Sequence, residues 1–381
     1  MPGLALLLAA CSAPPPPPLA PVEEPVQAAP LPPPPPSPEE LAAQRRAQLA
    51  CVEIDLAAVG DIMLGTDFPQ PRLPEDDGRG QLSDAAPLLA ATDVAFGNVE
   101  GVLMDGGEPV KQCKDPSACY LFRSPARFAG TLADAGFTVV SLANNHARDF
   151  GKAGRDASMA ALVAAGIRHS GREGDIASWT VGDVRIALIA FAPFSGSWPM
   201  LDTELATNTV AELAGKHDIV IVSFHGGAEG ADAERIPFTT ETYYGEDRGD
   251  VVRFSRAVID AGADLVIGHG PHVPRAMELY QGRLVAYSLG NFATWWGISV
   301  TGAKGYAPLL RARVDGNGAL LAGDIVSMQQ LRPDGPRLDP EQNAWQMIAR
   351  LTRQDFPSSG LRLDTDGGFA PLTATTRSCS P

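Results

Sequence analysis

An α/β fold with strands buried on both faces is what this sequence predicts, on three observations. From residue 52 apolar strand-like runs alternate with helical stretches, the runs are almost continuously apolar, and polar residues gather where the runs end. Strand–helix alternation of this kind places helices over both faces of a sheet, which is why the strands need not alternate apolar with polar.

The strand candidates are Ile54–Val59, Val94–Gly97, Thr138–Leu142, Val184–Ala190, Asp218–Phe224, Asp264–Ile267 and Leu284–Ser288. Helical patterns lie between them near Ser83–Ala91, Pro125–Ala135, Gly154–Ala165, Thr203–Gly215 and Gly249–Ala261. Farther on, Leu309–Val314 and Leu320–Met328 are joined by Asp315-Gly316-Asn317-Gly318, the signature of an antiparallel hairpin. No internal repeat is present.

The chain has 381 residues, of which 45% are hydrophobic and 20% charged, enough for one large α/β domain after a separate N-terminal region. Its formal net charge of −15, with no cluster of Lys and Arg, excludes a general nucleic-acid surface.

The N-terminal region has its own logic. Leu4 to Ala10 is an apolar run far below the roughly 20 residues of a membrane-spanning helix. It ends in Leu8-Ala9-Ala10-Cys11, which resembles a lipobox, so residues 1–11 read as a lipoprotein signal with Cys11 the lipidated residue. Met1-Pro2-Gly3 carries no Lys or Arg, so a start codon upstream is expected. Residues 12–50 form a tether and a short helix. Pro14 to Pro38 hold 14 prolines in 25 residues, including two runs of five. Proline fixes φ and lacks an N–H, so the stretch favours an extended polyproline helix, reaching up to roughly 80 Å. The expected address is therefore an exported lipoprotein. Ser12 after the lipidated cysteine matches outer-membrane sorting, facing the periplasm or the cell surface, with the membrane as a partner through the lipid.

Residues 51–381 form the folded domain. Cys51, Cys113, Cys119 and Cys379 remain after Cys11, with no Cys-x-x-Cys pair, which argues against a zinc knuckle or a thioredoxin motif. An even number in an oxidising compartment suggests disulfides. Cys113 and Cys119 bracket a short turn-rich loop, and Cys51 and Cys379 flank the domain, so those are the expected pairs.

The chemistry sits at the strand ends. Asp61 follows the first run; Asn98 and Glu100 follow the second; Asn144, Asn145 and His146 follow the third, with Asp149 just beyond. His225 ends a run with Glu229 four residues on, and His269 and His272 end another. In open α/β sheets ligands bind outside the carboxyl ends of strands. Four of the six histidines are there, with carboxylates and carboxamides, a donor set suited to Mn²⁺, Fe²⁺ or Zn²⁺. His169 and His217 lie in helix-to-strand connections and read as structural.

Taken together, Gly60-Asp61, Asn98-Val99-Glu100, Ser141-Leu-Ala-Asn-Asn-His146, His225-Gly-Gly, Gly268-His-Gly-Pro-His-Val273 and Tyr287-Ser-Leu-Gly-Asn-Phe292 resemble the CapA, or poly-γ-glutamate capsule, family over residues 52 to 300. That family resembles the calcineurin-like metallophosphoesterases, which implies a sandwich of two β-sheets flanked by helices around a two-metal centre. The resemblance implies Asp61, Glu100, Asn145, His225, His269 and His272 as metal ligands, with Mn²⁺ the leading ion. It implies His146 with Asp149 as the catalytic pair, and Asn98, Asn144, Glu229 and Asn291 as substrate-binding residues.

Two departures from the phosphoesterase pattern stand out. Asp61 is followed by Ile62 and Met63 where those enzymes carry Asp-x-His, and Asn98 with Glu100 replaces Gly-Asp-x-x-Asp. Two functional classes follow. One is a metal-dependent hydrolase acting on an envelope phosphoester. The other is a metal-supported module that binds an anionic capsular polymer. A purely structural spacer has no use for such a strand-end cluster.

Overall fold

The first strand, Glu53–Met63, organises the molecule. Its residues alternate between two buried clusters, Leu56 and Ala58 entering one and Ala57 and Val59 the other. A strand buried on both faces needs apolar residues at every position, which explains the continuous run. It pairs in parallel with Val94–Val99 on one side and antiparallel with Tyr306–Asp315 on the other. The sheet continues through Val139–Ser141 and Arg168–Ser170 in one direction, and through Leu320–Leu331, Gly368–Pro371 and Leu361–Leu363 in the other.

This computed structural model describes residues 13–18, 35–112, 119–373 and 379. Contacts divide the chain at Ala42 and Ala43, inside the helix Pro38–Leu49. In the first unit residues 13–18 are exposed without regular structure, and Ser37 and Glu40 make reciprocal backbone–side-chain hydrogen bonds at the helix start, a capping box. Among the described residues no helix is long and apolar enough to cross a membrane. Cys11 lies outside the described residues.

In the second unit a further sheet runs Met277–Tyr280, Arg283–Ala286, Leu265–His269, Ile219–His225, Val184–Ala192 and Ala177–Val181, parallel in its centre and antiparallel at both edges. Leu188, Ile221 and Ile267 from this sheet share one cluster with Leu56, Phe96 and Val139 from the first, so the two sheets pack face to face. The outer face of the first is covered by Phe128–Asp134 and Gly151–Ala164, and that of the second by Thr203–Ala214 and Val251–Asp260. Both helices over the second sheet start on an aspartate cap, Asp202 accepting from the Leu205 N–H and Asp250 from the Arg253 N–H. The result is the expected two-sheet sandwich between helices.

One expected helix is shorter than its pattern. The helix expected over Ser83–Ala91 is only Ala86–Ala90, since Pro87 is tolerated in a first helical turn but not in a helix interior. The hairpin expected at 309–328 forms, but its strands extend the first sheet. His169 and His217 are partnered away from the strand-end cluster, His169 Nδ1 with Asp175 Oδ2 at 2.8 Å and His217 Nε2 with Ser178 Oγ at 2.6 Å.

Cys51 and Cys379 form a disulfide across 328 residues of sequence. Cys119 is also disulfide-bonded, whereas Cys113 lies outside the described residues. Cross-linking chain segments so far apart restricts the unfolded ensemble strongly. Replacing both Cys51 and Cys379 with serine is expected to lower stability by about 2–5 kcal/mol in urea denaturation. An unchanged midpoint would show that the bridge is dispensable.

Candidate metal centre

Strand register brings the polar residues together. Asp61 is the direct neighbour of both Asn98 and Asn291, and His225 is paired with His269. The pairing of Glu53–Met63 shifts on both sides at Asp61, an irregularity that lets a strand re-aim a side chain. The preceding residue must be glycine, because a Cβ on Gly60 would lie 2.0 Å from the Gly290 carbonyl oxygen. That contact is what allows the Asp61 N–H to donate to the same oxygen at 2.9 Å.

Asp61 sits at the middle of the cluster, fully buried. Its Oδ1 accepts from Asn98 Nδ2 at 2.8 Å and lies 3.3 Å from His269 Nδ1, while its Oδ2 lies 2.9 Å from His272 Nδ1. Asn291 Oδ1 is also 2.9 Å from His272 Nδ1, so that nitrogen carries the proton and Nε2 is the donor atom left for a metal. Nε2 lies 3.7 Å from Glu100 Oε1. Donor atoms of Asp61, Glu100 and His272 all fall within 4.8 Å of one another. His272 adopts φ 58°, a left-handed conformation that a non-glycine residue holds only where its surroundings enforce it.

Around this group lie buried polar atoms without hydrogen bonds: both oxygens of Glu100, His225 Nε2 and His269 Nε2; Asn145 Oδ1 is likewise buried without a partner. Most buried polar groups are satisfied, so several orphaned metal-donor atoms beside one carboxylate make this a candidate ligand site. The residues fit a divalent ion. Asp61, Glu100 and His272 would hold it, with His269 and His225 beside them and Asn145 left as an expected ligand that no contact tests.

Electrostatics agree. Burial pushes the Glu100 carboxyl well above its usual range; Asp61 and Glu229 nearby add to this, and His272 opposes it. Burial works against the Asp61 carboxylate too, but the imidazoles of His269 and His272 hold it well below the usual range. His225 is lowered well below 6.5 by burial, which leaves it neutral and able to coordinate. His272 is raised to about 10: burial lowers it, but the Glu100 and Asp61 carboxylates outweigh burial. A divalent cation balances buried negative charge of this kind.

His146 stands beside the cluster, its Nε2 4.0 Å from Glu100 Oε1. Its Nδ1 is 2.8 Å from Asp149 Oδ2, and its ring packs against Phe122 with centroids 4.4 Å apart. Burial lowers its pKa, with Asp149 pulling the other way. Asp149 also accepts from the Phe122 N–H at 2.9 Å and pairs with Lys111 Nζ at 3.1 Å.

The other expected site residues have partners of their own. Asp149 is completely buried, with its Oδ2 on His146 Nδ1, as the expected pairing of the two requires. Asn98, Asn144 and Asn291 are buried and spent on their neighbours. Asn144 Nδ2 donates to Asn98 Oδ1 at 3.1 Å and to the Val99 carbonyl at 2.9 Å; Asn291 Nδ2 donates to the Ser299 and Lys304 carbonyls. Glu229 has Oε1 on Arg248 Nη1 at 2.8 Å and Oε2 3.7 Å from His272 Nε2. Lys111, Arg248 and Phe122 were missed, because Lys111 and Phe122 sit on loops and Arg248 in the short strand Glu246–Gly249, away from the strand-end motifs and with no local signal.

Residues 55–294 match the family model described as "Bacterial capsule synthesis protein PGA_cap". The chain is 31% identical over 256 residues to the PGA biosynthesis protein CapA of Bacillus subtilis, covering 61% of this chain and 61% of that protein. It is 26% identical over 261 residues to the capsule biosynthesis protein CapA of Bacillus anthracis, covering 63% of this chain and 59% of that one. The chain therefore spans less than two thirds of the length of these relatives, 61% and 59%. Among solved structures, the 5'-nucleotidase precursor from Thermus thermophilus gives a TM-score of 0.40 at 13% identity, covering 79% of this chain and 59% of that chain. Because the matched span holds every strand-end residue from Asp61 to Asn291, this chain belongs to the PGA_cap family of bacterial capsule synthesis proteins.

Proposed function

We propose that this protein is an envelope-anchored, CapA-like factor in capsule, exopolysaccharide or poly-γ-glutamate production, working as a divalent-metal-dependent phosphoesterase-type hydrolase. The observation that carries the reading is the set of unpaired, buried donors of Glu100, His225 and His269 around Asp61, with His146 held beside them. A bound divalent ion would supply Lewis acidity and a water of lowered pKa. The chain's own work is then positional. Asp149 fixes the His146 tautomer, leaving Nε2 to take or give a proton, and Phe122 fixes the ring plane. Anchoring follows from Cys11 and the proline-rich tether, with an anionic polymer or phosphoester as the partner. The test is a panel of phosphoesters with the Mn²⁺-loaded protein. Turnover of none of them, with metal bound, favours the second reading.

That second reading is a metal-supported module that binds polymer without hydrolysing it. It is favoured by one feature: Ile62 and Met63 after Asp61 are buried in apolar clusters and supply no ligand.

Metal binding should be proton-linked. His272, raised to about 10, carries a proton at neutral pH and must lose it to coordinate, and Glu100 is raised as well. The sign is fixed: protons compete, so affinity falls as pH falls. Calorimetric titration with Mn²⁺ is expected to show about tenfold weaker binding per pH unit from pH 8 to 6, with proton release in buffers of different ionisation enthalpy. A pH-independent affinity would contradict it.

A further inference from the structure

The cluster has an acidic neighbour that coordination by the strand-end motif alone leaves unused. Glu229 lies on the loop after Ile219–His225, and its Oε2 is 3.7 Å from His272 Nε2, the same nitrogen that lies 3.7 Å from Glu100 Oε1. Donors bound about 2.1 Å from one ion at tetrahedral or octahedral angles are about 3.0–3.4 Å apart, so a contraction of a few tenths of an ångström brings Glu229 Oε2 and His272 Nε2 to that spacing. Neither contact is a hydrogen bond, and both Glu100 oxygens are buried without partners.

Glu229 is also held in place. Arg248 Nη1 takes its other oxygen at 2.8 Å, and the buried guanidinium is fixed between Phe194 and Tyr243, 4.9 Å and 5.3 Å from the ring centroids. The loop backbone is pinned on both sides of it. The Ala228 N–H donates to Glu241 Oε2 at 3.0 Å, and the Gly230 N–H donates to the Pro271 carbonyl at 3.0 Å. Arg275, fully buried, grips Glu241 through both terminal nitrogens. An oxygen so fixed loses little entropy on coordination.

We propose that Glu229 is a further ligand of the metal centre, supplying the donor that Ile62 and Met63 cannot. The assignment rests on the metal-centre reading above.

The experiment is calorimetric titration of Mn²⁺ into the metal-free full chain, comparing the parent with Glu229→Gln, Glu229→Asp and Glu246→Gln, each checked by circular dichroism. Glu229→Gln is expected to weaken binding at least tenfold. Glu229→Asp, which withdraws the carboxylate by one methylene, is expected to weaken it too and serves if the glutamine variant misfolds. Glu246→Gln removes the other carboxylate on Arg248 and is expected to bind as the parent does. Parent-like affinity in both Glu229 variants overturns the assignment. So does an equal loss in Glu246→Gln, which would place the effect on Arg248. A parent that binds no Mn²⁺ sinks the metal centre itself.

Discussion

Asp61→Asn is expected to weaken divalent-metal binding by more than about 100-fold while the fold persists. Outer-shell partners of a metal site already cost 10–100-fold when removed, and Asp61 stands at the centre, facing His269 and His272 with its two oxygens. An asparagine keeps the shape and one acceptor for Asn98, but places an N–H against an imidazole and removes the charge that a cation needs. The packing around it stays, because the sandwich core is formed by Leu56, Ala58, Phe96 and their partners in the other sheet. Titration with Mn²⁺ beside a thermal melt separates the two outcomes. Retained affinity would remove Asp61 from the site.

His146→Ala has a different expected signature. Metal stoichiometry is retained and phosphoester turnover falls by about 10²–10⁴-fold, the usual contribution of a positioned general acid or base. The reasoning is geometric: Nε2 faces Glu100 from 4.0 Å, while Nδ1 is committed to Asp149. Asp149→Asn is expected to lower turnover as well and to move the pH–rate profile, since the amide no longer enforces the tautomer. If His146→Ala loses metal in step with activity, His146 is a ligand. If it keeps both, the residue has no part in the chemistry.

Much of the site was legible in the sequence because its residues terminate apolar runs. A strand buried on both faces has no reason to end in Asp, Asn or His unless those side chains are used. Asp61, Glu100, His225, His269 and His272 were readable for that reason, and parallel register then places His225 beside His269 and Asp61 beside Asn98. The roles of the asparagines were not readable. Whether Asn98 faces a ligand or a neighbouring carboxylate depends on contacts with Asp61 and Asn144, which sequence spacing does not encode. Asn291 was visible as a motif residue, but its strand beside Glu53–Met63 was not, since four residues carry too little periodicity. The helix Asn343–Asp355 escaped too. Its start is Gln342 in a left-handed conformation without a side-chain cap, so no start signal marks it.

The central assertion is that the strand-end cluster of this PGA_cap family member holds a divalent ion. An anomalous difference map from crystals of the protein grown with Mn²⁺ measures that directly. The expected result is a peak bordered by Asp61 and Glu100 carboxylate oxygens and His272 Nε2, absent from Asp61→Asn crystals. A parent map with no peak there, or with manganese only at unrelated surface carboxylates, would contradict it.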